Sequence, residues 1–183
     1  MRTGRRLKVV VLGLVGAPTF ALFIWYVVSF LVHLSELKSL AAQGQEIKAS
    51  ANPAFYNLAV LGETKDQIRS YAFRQAYWSL VAEKEHGGTL SWHLNNLLWL
   101  ASSHIHFNED EVFGLWVECS LNGCGYGLMD ASNKYFGKPV TALTVEELAG
   151  LVALVKSPTM FAPGTTRGEE RKLMILGKYH EGS

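Results

Sequence analysis

The chain reads as a mainly α protein, and three observations carry that reading. Apolar residues recur every three to four positions in several windows, polar N-caps followed by acidic residues open those windows, and no segment alternates with the period of a strand. With 183 residues there is room for one membrane anchor and one modest domain. Hydrophobic content is 49%, and much of the excess lies at the start.

Residues 9–32 contain no charged side chain and include Phe20, Phe23, Ile24, Trp25, Tyr26 and Phe30. A helix of about 20 apolar residues crosses a bilayer, so this stretch is long enough. Arg2, Arg5, Arg6 and Lys8 precede it, whereas Glu36 and Lys38 follow it without net charge; residues 1–8 are therefore expected to be a cytoplasmic tail and the remainder to lie outside. A cleaved signal peptide is the competing reading of the basic start, against which stand the length of the apolar run and Pro18 within it.

Residues 33–52 read as a polar helical stalk with Leu34, Leu37, Leu40 and Ala41 on one side, broken at Asn52-Pro53. Residues 53–183 form the expected domain. Phe55–Gly62 is a short apolar segment, and Lys65–Glu85 is a long helical pattern carrying Ile68, Ala72, Phe73, Ala76, Tyr77, Leu80 and Val81. Gly87-Gly88 interrupts it before a helix from Thr89 to Trp99, and residues 100–107, with His104 and His106, read as a loop. Asn108 caps the next helix, with Glu109, Asp110 and Glu111 where they favour the helix dipole. After a turn at Asn122 and Gly123, helices are expected over about 126–136 and 144–156, the second capped by Thr144, supported by Glu146 and Glu147, and stopped by Pro158.

A net charge of +1 gives no electrostatic case for nucleic acid. Cys119 and Cys124 either close a small local disulfide in an oxidising compartment or remain two buried thiols. They are too few for a zinc site, even with His104 and His106 nearby, and nothing in the residues calls for a cofactor or a divalent metal.

From Gly123 onward the chain supplies Tyr126, Gly127, Ala131, Tyr135, Phe136, Gly137, Lys138, Leu143, Thr144, Glu147, Ala149, Leu151, Lys156 and Pro158. This series resembles the closing motifs of the peptidoglycan glycosyltransferase domain of penicillin-binding proteins and monofunctional transglycosylases: G-x-G-x-Y-G, A-x-x-x-Y-F-G-K, L-T-x-x-E-x-A-x-L and K-x-P. The resemblance implies a lysozyme-like helical domain behind the anchor. Because the chain reaches Arg171-Lys172-Leu173, where that domain finishes, it looks like the monofunctional type.

Upstream the likeness thins. Against the family's G-G-S-T-I-T-Q-Q-L-A-K-N-L, Gly87, Gly88, Thr89, Ser91 and Leu94 fit, while Trp92 and His93 replace the paired glutamines and Asn96 replaces the lysine. The lost lysine matters because the departing undecaprenyl pyrophosphate must have its charge stabilised. The plainer role for His93 is a helix residue packed among aromatics. The family's general base aligns with Glu63, and its downstream arginine with Arg74; Glu63 is equally readable as a solvated helix cap. The R-K-x-x-E motif and its helix of about twenty residues are absent, and Gly114 and Glu118 replace a glutamate and an asparagine of I-L-E-L-Y-L-N.

The resemblance thus implies a membrane-anchored enzyme that polymerises lipid II into glycan strands, with Glu63 as base and Thr89, Ser91, Arg74 and Lys138 near substrate. Its expected partners are lipid II or a glycan chain, the membrane and other cell-wall synthesis proteins. Its expected place is the bacterial plasma membrane, single-pass, with the domain periplasmic or extracellular. The eroded motifs keep an alternative open: an inactive transglycosylase fold that binds or scaffolds in envelope assembly. An unrelated small membrane protein with a chance match is the third reading.

Overall fold

The computed structural model describes residues 2–84, 88–123 and 125–182, with side chains from Gly16 onward. It divides into two compact units, Met1–Ser35 and Glu36–Ser183.

The first unit is dominated by α1 (Arg2–Ser29), which contains Pro18. Phe20, Leu22, Phe23 and Val28 are all exposed on it, which in water would be costly and in lipid is not. The helical stretch from Gly16 to Ser50 includes a window long and apolar enough to span a membrane.

Among the described residues the regular structure of the second unit is helical, apart from an isolated antiparallel bridge between Leu121 and Tyr126. It contains α2 (Leu34–Ser50), α3 (Ala54–Gly62), α4 (Lys65–Tyr77), α5 (Thr89–His106), α6 (Glu109–Cys119), α7 (Leu128–Phe136), α8 (Val145–Lys156) and α9 (Thr166–Glu181). Three of these start with a full capping box, in which a polar cap and the residue three positions on satisfy each other's backbone: Thr64 with Gln67, Asn108 with Glu111, and Thr144 with Glu147.

The core is built around α8, whose residues Leu148 to Val155 are all buried, and around the aromatic cluster of Phe55, Phe113 and Trp116. The segment read as a stalk is α2, and Leu37, Ala41 and Gly44 on it are buried. It crosses α6 at a pair of glycines: a Cβ on Gly44 would meet the Gly114 carbonyl oxygen at 2.0 Å, and one on Gly114 would meet the Ala41 carbonyl oxygen at 2.1 Å. No side chain fits at that crossing, which explains glycine at position 114. Lys38–Glu111 and Lys48–Asp110 ion pairs flank it.

Three expectations need correction. Residues 100–106 are not a loop: α5 runs on to His106, so His104 and His106 occupy its last turn. Its inner side there is polar, with Ser102 and Ser103 donating back to the Leu98 and Leu100 carbonyls. Buried Arg69 of α4 holds the end, donating to the Ser103 and Phe107 carbonyls and pairing with Glu109 at the start of α6. The long pattern after Lys65 is α4 followed by a π-helical turn, Trp78–Ala82, rather than one α-helix. Finally, α9 was not foreseen; it is a largely polar helix capped by Thr165 that buries only Gly168, Ile175 and Leu176.

Candidate active site

Glu63 stands at the corner between α3 and α4, one residue past the first helix and one before the Thr64 cap of the second. Extended backbone at this position turns its side chain inward, and the residue is only 8% exposed. Each carboxylate oxygen meets a cation. Arg171 of α9 donates to Oε1 at 2.8 Å and to the Gly62 carbonyl at 2.8 Å, while Lys156 at the end of α8 lies 3.4 Å from Oε2. The Arg171 contact is short and largely buried; the Lys156 contact is long, and that side chain is half-exposed.

These groups open into a cavity of about 380 Å³ whose lining includes Glu63, Asp66, Tyr71, Arg74, Trp116 and Lys156. One wall is the face of α4, because Asp66, Gln67, Ser70, Tyr71 and Arg74 recur at helical spacing. Burial pushes the Tyr71 phenol up; the Leu121 backbone hydrogen bond and Arg74 oppose that, and Glu63 and Tyr126 add to it. Tyr71 therefore offers a neutral hydroxyl to the cavity. Arg74 lies over the Tyr71 ring, 5.3 Å from its centre, and among the described residues it has no carboxylate in ion-pair contact.

A second cavity, of about 390 Å³, shares Ser70 and Arg74 with the first and is closed by Trp92, His93, Asn96, Leu97 and Leu100 of α5. His93 meets the Trp92 ring edge-on at 4.7 Å but is itself exposed.

Glu63 and Arg74 are thus brought together, while the other candidates lie elsewhere. Thr89 and Ser91 are exposed on the first turn of α5 and line neither cavity, and among the described residues Ser91 accepts from Asn95 at 3.4 Å. Lys138 is paired with Glu147 at 2.7 Å and lines neither cavity. Cys119 is buried and, among the described residues, has no disulfide partner; a pairing with Cys124, like the role of Gly87, lies outside the described residues. No group of three His, Cys, Asp or Glu among the described residues is arranged to hold a metal ion. Two residues of the cluster carried no functional assignment from sequence. Lys156 belongs to the K-x-P motif, which signalled it as part of the fold, whereas Arg171 was marked only by its place at the end of the family's domain.

Comparison with known proteins follows the same division. Over 86 residues the chain is 31% identical to penicillin-binding protein 1A of Pseudomonas aeruginosa, covering 45% of this chain and 10% of that protein. It is 33% identical over 78 residues to penicillin-binding protein 1F of Bacillus subtilis, covering 41% of this chain and 11% of the relative. A Cupriavidus necator protein provisionally named a transglycosylase is 36% identical over 76 residues, covering 40% of this chain and 33% of its own length. The chain therefore spans only a tenth to a third of these relatives. The model of the transglycosylase family matches residues 74–180, from Arg74 in the cavity wall to the end of α9, and the chain belongs to that family.

Proposed function

We propose that the protein is a membrane-anchored, peptidoglycan glycosyltransferase-like enzyme that joins lipid II units into glycan strands outside the plasma membrane. The observation that carries this reading is the meeting of Glu63, Arg74 and Lys156 on one cavity. In the reaction, Glu63 Oε2 takes the proton of the acceptor 4-hydroxyl as that oxygen bonds to C1 of the donor sugar. The C1–O bond to the diphosphate breaks, and the lipid diphosphate leaves with the bonding pair. Arg74 and Lys156 face the charge that grows on it, and Tyr71 offers a neutral donor. Lys156 can shift toward the leaving group because its contact with Glu63 is long and half-exposed. Arg171 keeps Oε1 fixed while Oε2 works.

A second reading is favoured by one specific arrangement: Glu63 is gripped by two cations while Lys138, Thr89 and Ser91 stay away from the cavity. In it the domain binds its lipid-linked ligand without turning it over and serves as a scaffold in envelope assembly. The two separate on lipid II polymerisation by the full chain in liposomes, with Glu63→Gln alongside. Catalysis predicts polymer from the wild type and a loss of about 100-fold or more in the variant. A wild type that makes no polymer, yet complements a deletion strain as well as Glu63→Gln does, establishes the scaffold instead.

A further inference from the structure

Helix α5 contains no Asp, Glu, Lys or Arg in its eighteen residues. Leu90, Leu94, Leu97, Ala101 and Ile105 fall within about 80° of one another around it, forming one lengthwise stripe. That stripe faces out: Leu90 is 73% exposed, Leu97 64% and Ile105 77%. Scattered apolar side chains on a surface need no explanation, but a continuous row on an uncharged helix does.

The row is continuous with the second cavity. Leu97 belongs to both, and Trp92 and Leu100 extend the apolar lining inward to Ser70 and Arg74, where the cavity joins the Glu63 groove. Arg74 is placed at that junction over the Tyr71 ring and, among the described residues, without an ion-pair partner, whereas Arg69, five residues earlier on the same helix, is tied to two carbonyls and a carboxylate. An available guanidinium between a polar groove and an apolar one suits a ligand that changes character at the same point.

We propose that α5 is a track for the single hydrocarbon chain of an anionic amphiphile, whose charged head rests at Arg74. The chain leaves through the cavity between Trp92 and Leu100, passes over Leu97 and runs along the stripe past Leu94 toward Leu90, a path of about 10 Å at the rise of an α-helix. This rests on the reading that the Glu63 groove receives a diphosphate, and it adds where the attached chain lies.

The test uses the full chain in phosphatidylcholine nanodiscs and a diazirine-bearing farnesyl diphosphate, with labelled peptides mapped by mass spectrometry. Labelling is expected to concentrate between Trp92 and Leu100 and to be competed by inorganic pyrophosphate. It should fall about tenfold in Arg74→Gln and in Leu97→Asp, both exposed positions where folding is not at stake. The matching diazirine farnesol should label this stretch no better than the diphosphate labels Arg74→Gln. Equal labelling by the alcohol and diphosphate, untouched by Arg74→Gln, would assign the stripe to the bilayer surface and overturn the track. Crosslinks from α5 to α5 of a second copy would overturn it in favour of a dimer face. A protein that polymerises nothing yet labels as described refutes the catalytic reading alone, and one that polymerises while labelling evenly refutes the track alone.

Discussion

Helices α8 and α5 have opposite relations to the rest of the molecule. From Leu148 to Val155 every residue of α8 is buried, whereas α5, half as long again, buries only Trp99, Ser102 and Ser103. Both are rich in leucine. A helix surrounded by partners is specified by its packing, and a helix that presents leucines to the outside is kept in place by its ends and by one edge. The first kind holds a fold together; the second is free to be a working surface.

The sharpest way to break this contrast is a matched pair of truncations. Leu151→Ala should cost about 2–5 kcal/mol because it leaves a cavity in the core, while Leu97→Ala should stay within about 0.5 kcal/mol, both read from urea unfolding followed by tryptophan fluorescence. Equal losses would mean that the stripe is structural. The next effect tests what holds the end of α5. Arg69→Met should cost about 3 kcal/mol, since it strips the Ser103 and Phe107 carbonyls of a buried donor, and it should speed amide exchange in the last turn of α5 before it does so in α8. Thr144→Ala should cost about 1 kcal/mol by removing one half of the α8 capping box, and this should leave α5 exchange unchanged.

A further effect is confined to alkaline pH. Burial, with Glu118 beside it, pushes the Cys119 thiol up to about 12 from an ordinary value near 9.0. The folded protein therefore keeps its proton where the unfolded chain has lost it, so the contribution is fully present below pH 9 and drains away as pH rises through 12. Stability of the wild type should fall relative to Cys119→Ala over that window, and the native thiol should resist iodoacetamide at about pH 8.

The same contrast explains what could be read in advance. Helix α8 was legible down to its cap because Thr144, Glu147 and the buried leucines all lie within one short segment. Asn108 likewise announced α6. The end of α5 was not legible, because its inner side is serine and its fastening is an arginine thirty-four positions away. Nor was α9, whose two buried aliphatics make too faint a period. In the site, Glu63 and Arg74 were named from the resemblance and do meet on one cavity, because a single turn and three turns of α4 separate them. Arg171 is 108 positions from Glu63, and only the folded chain makes them neighbours. Lys138, Thr89 and Ser91 matched by spacing, yet Lys138 pairs with Glu147 and none of the three lines either cavity.

Two of the capping-box carboxylates do more than begin a helix. Glu147 closes its cap with Thr144 and also receives Lys138, and the Lys138 hydrogen bond, ahead of the Thr144 backbone, holds its carboxyl below the ordinary value. Glu111 closes its cap with Asn108 and also receives Lys38, seventy-three positions earlier. In each case a helix start and a tie to another segment share one carboxylate: the distant α2 for Glu111, and the turn just after α7 for Glu147. Fraying at the start of α6 releases the distant α2, and fraying at the start of α8 releases the turn before it, so these two ends loosen together with the segments they hold instead of one residue at a time.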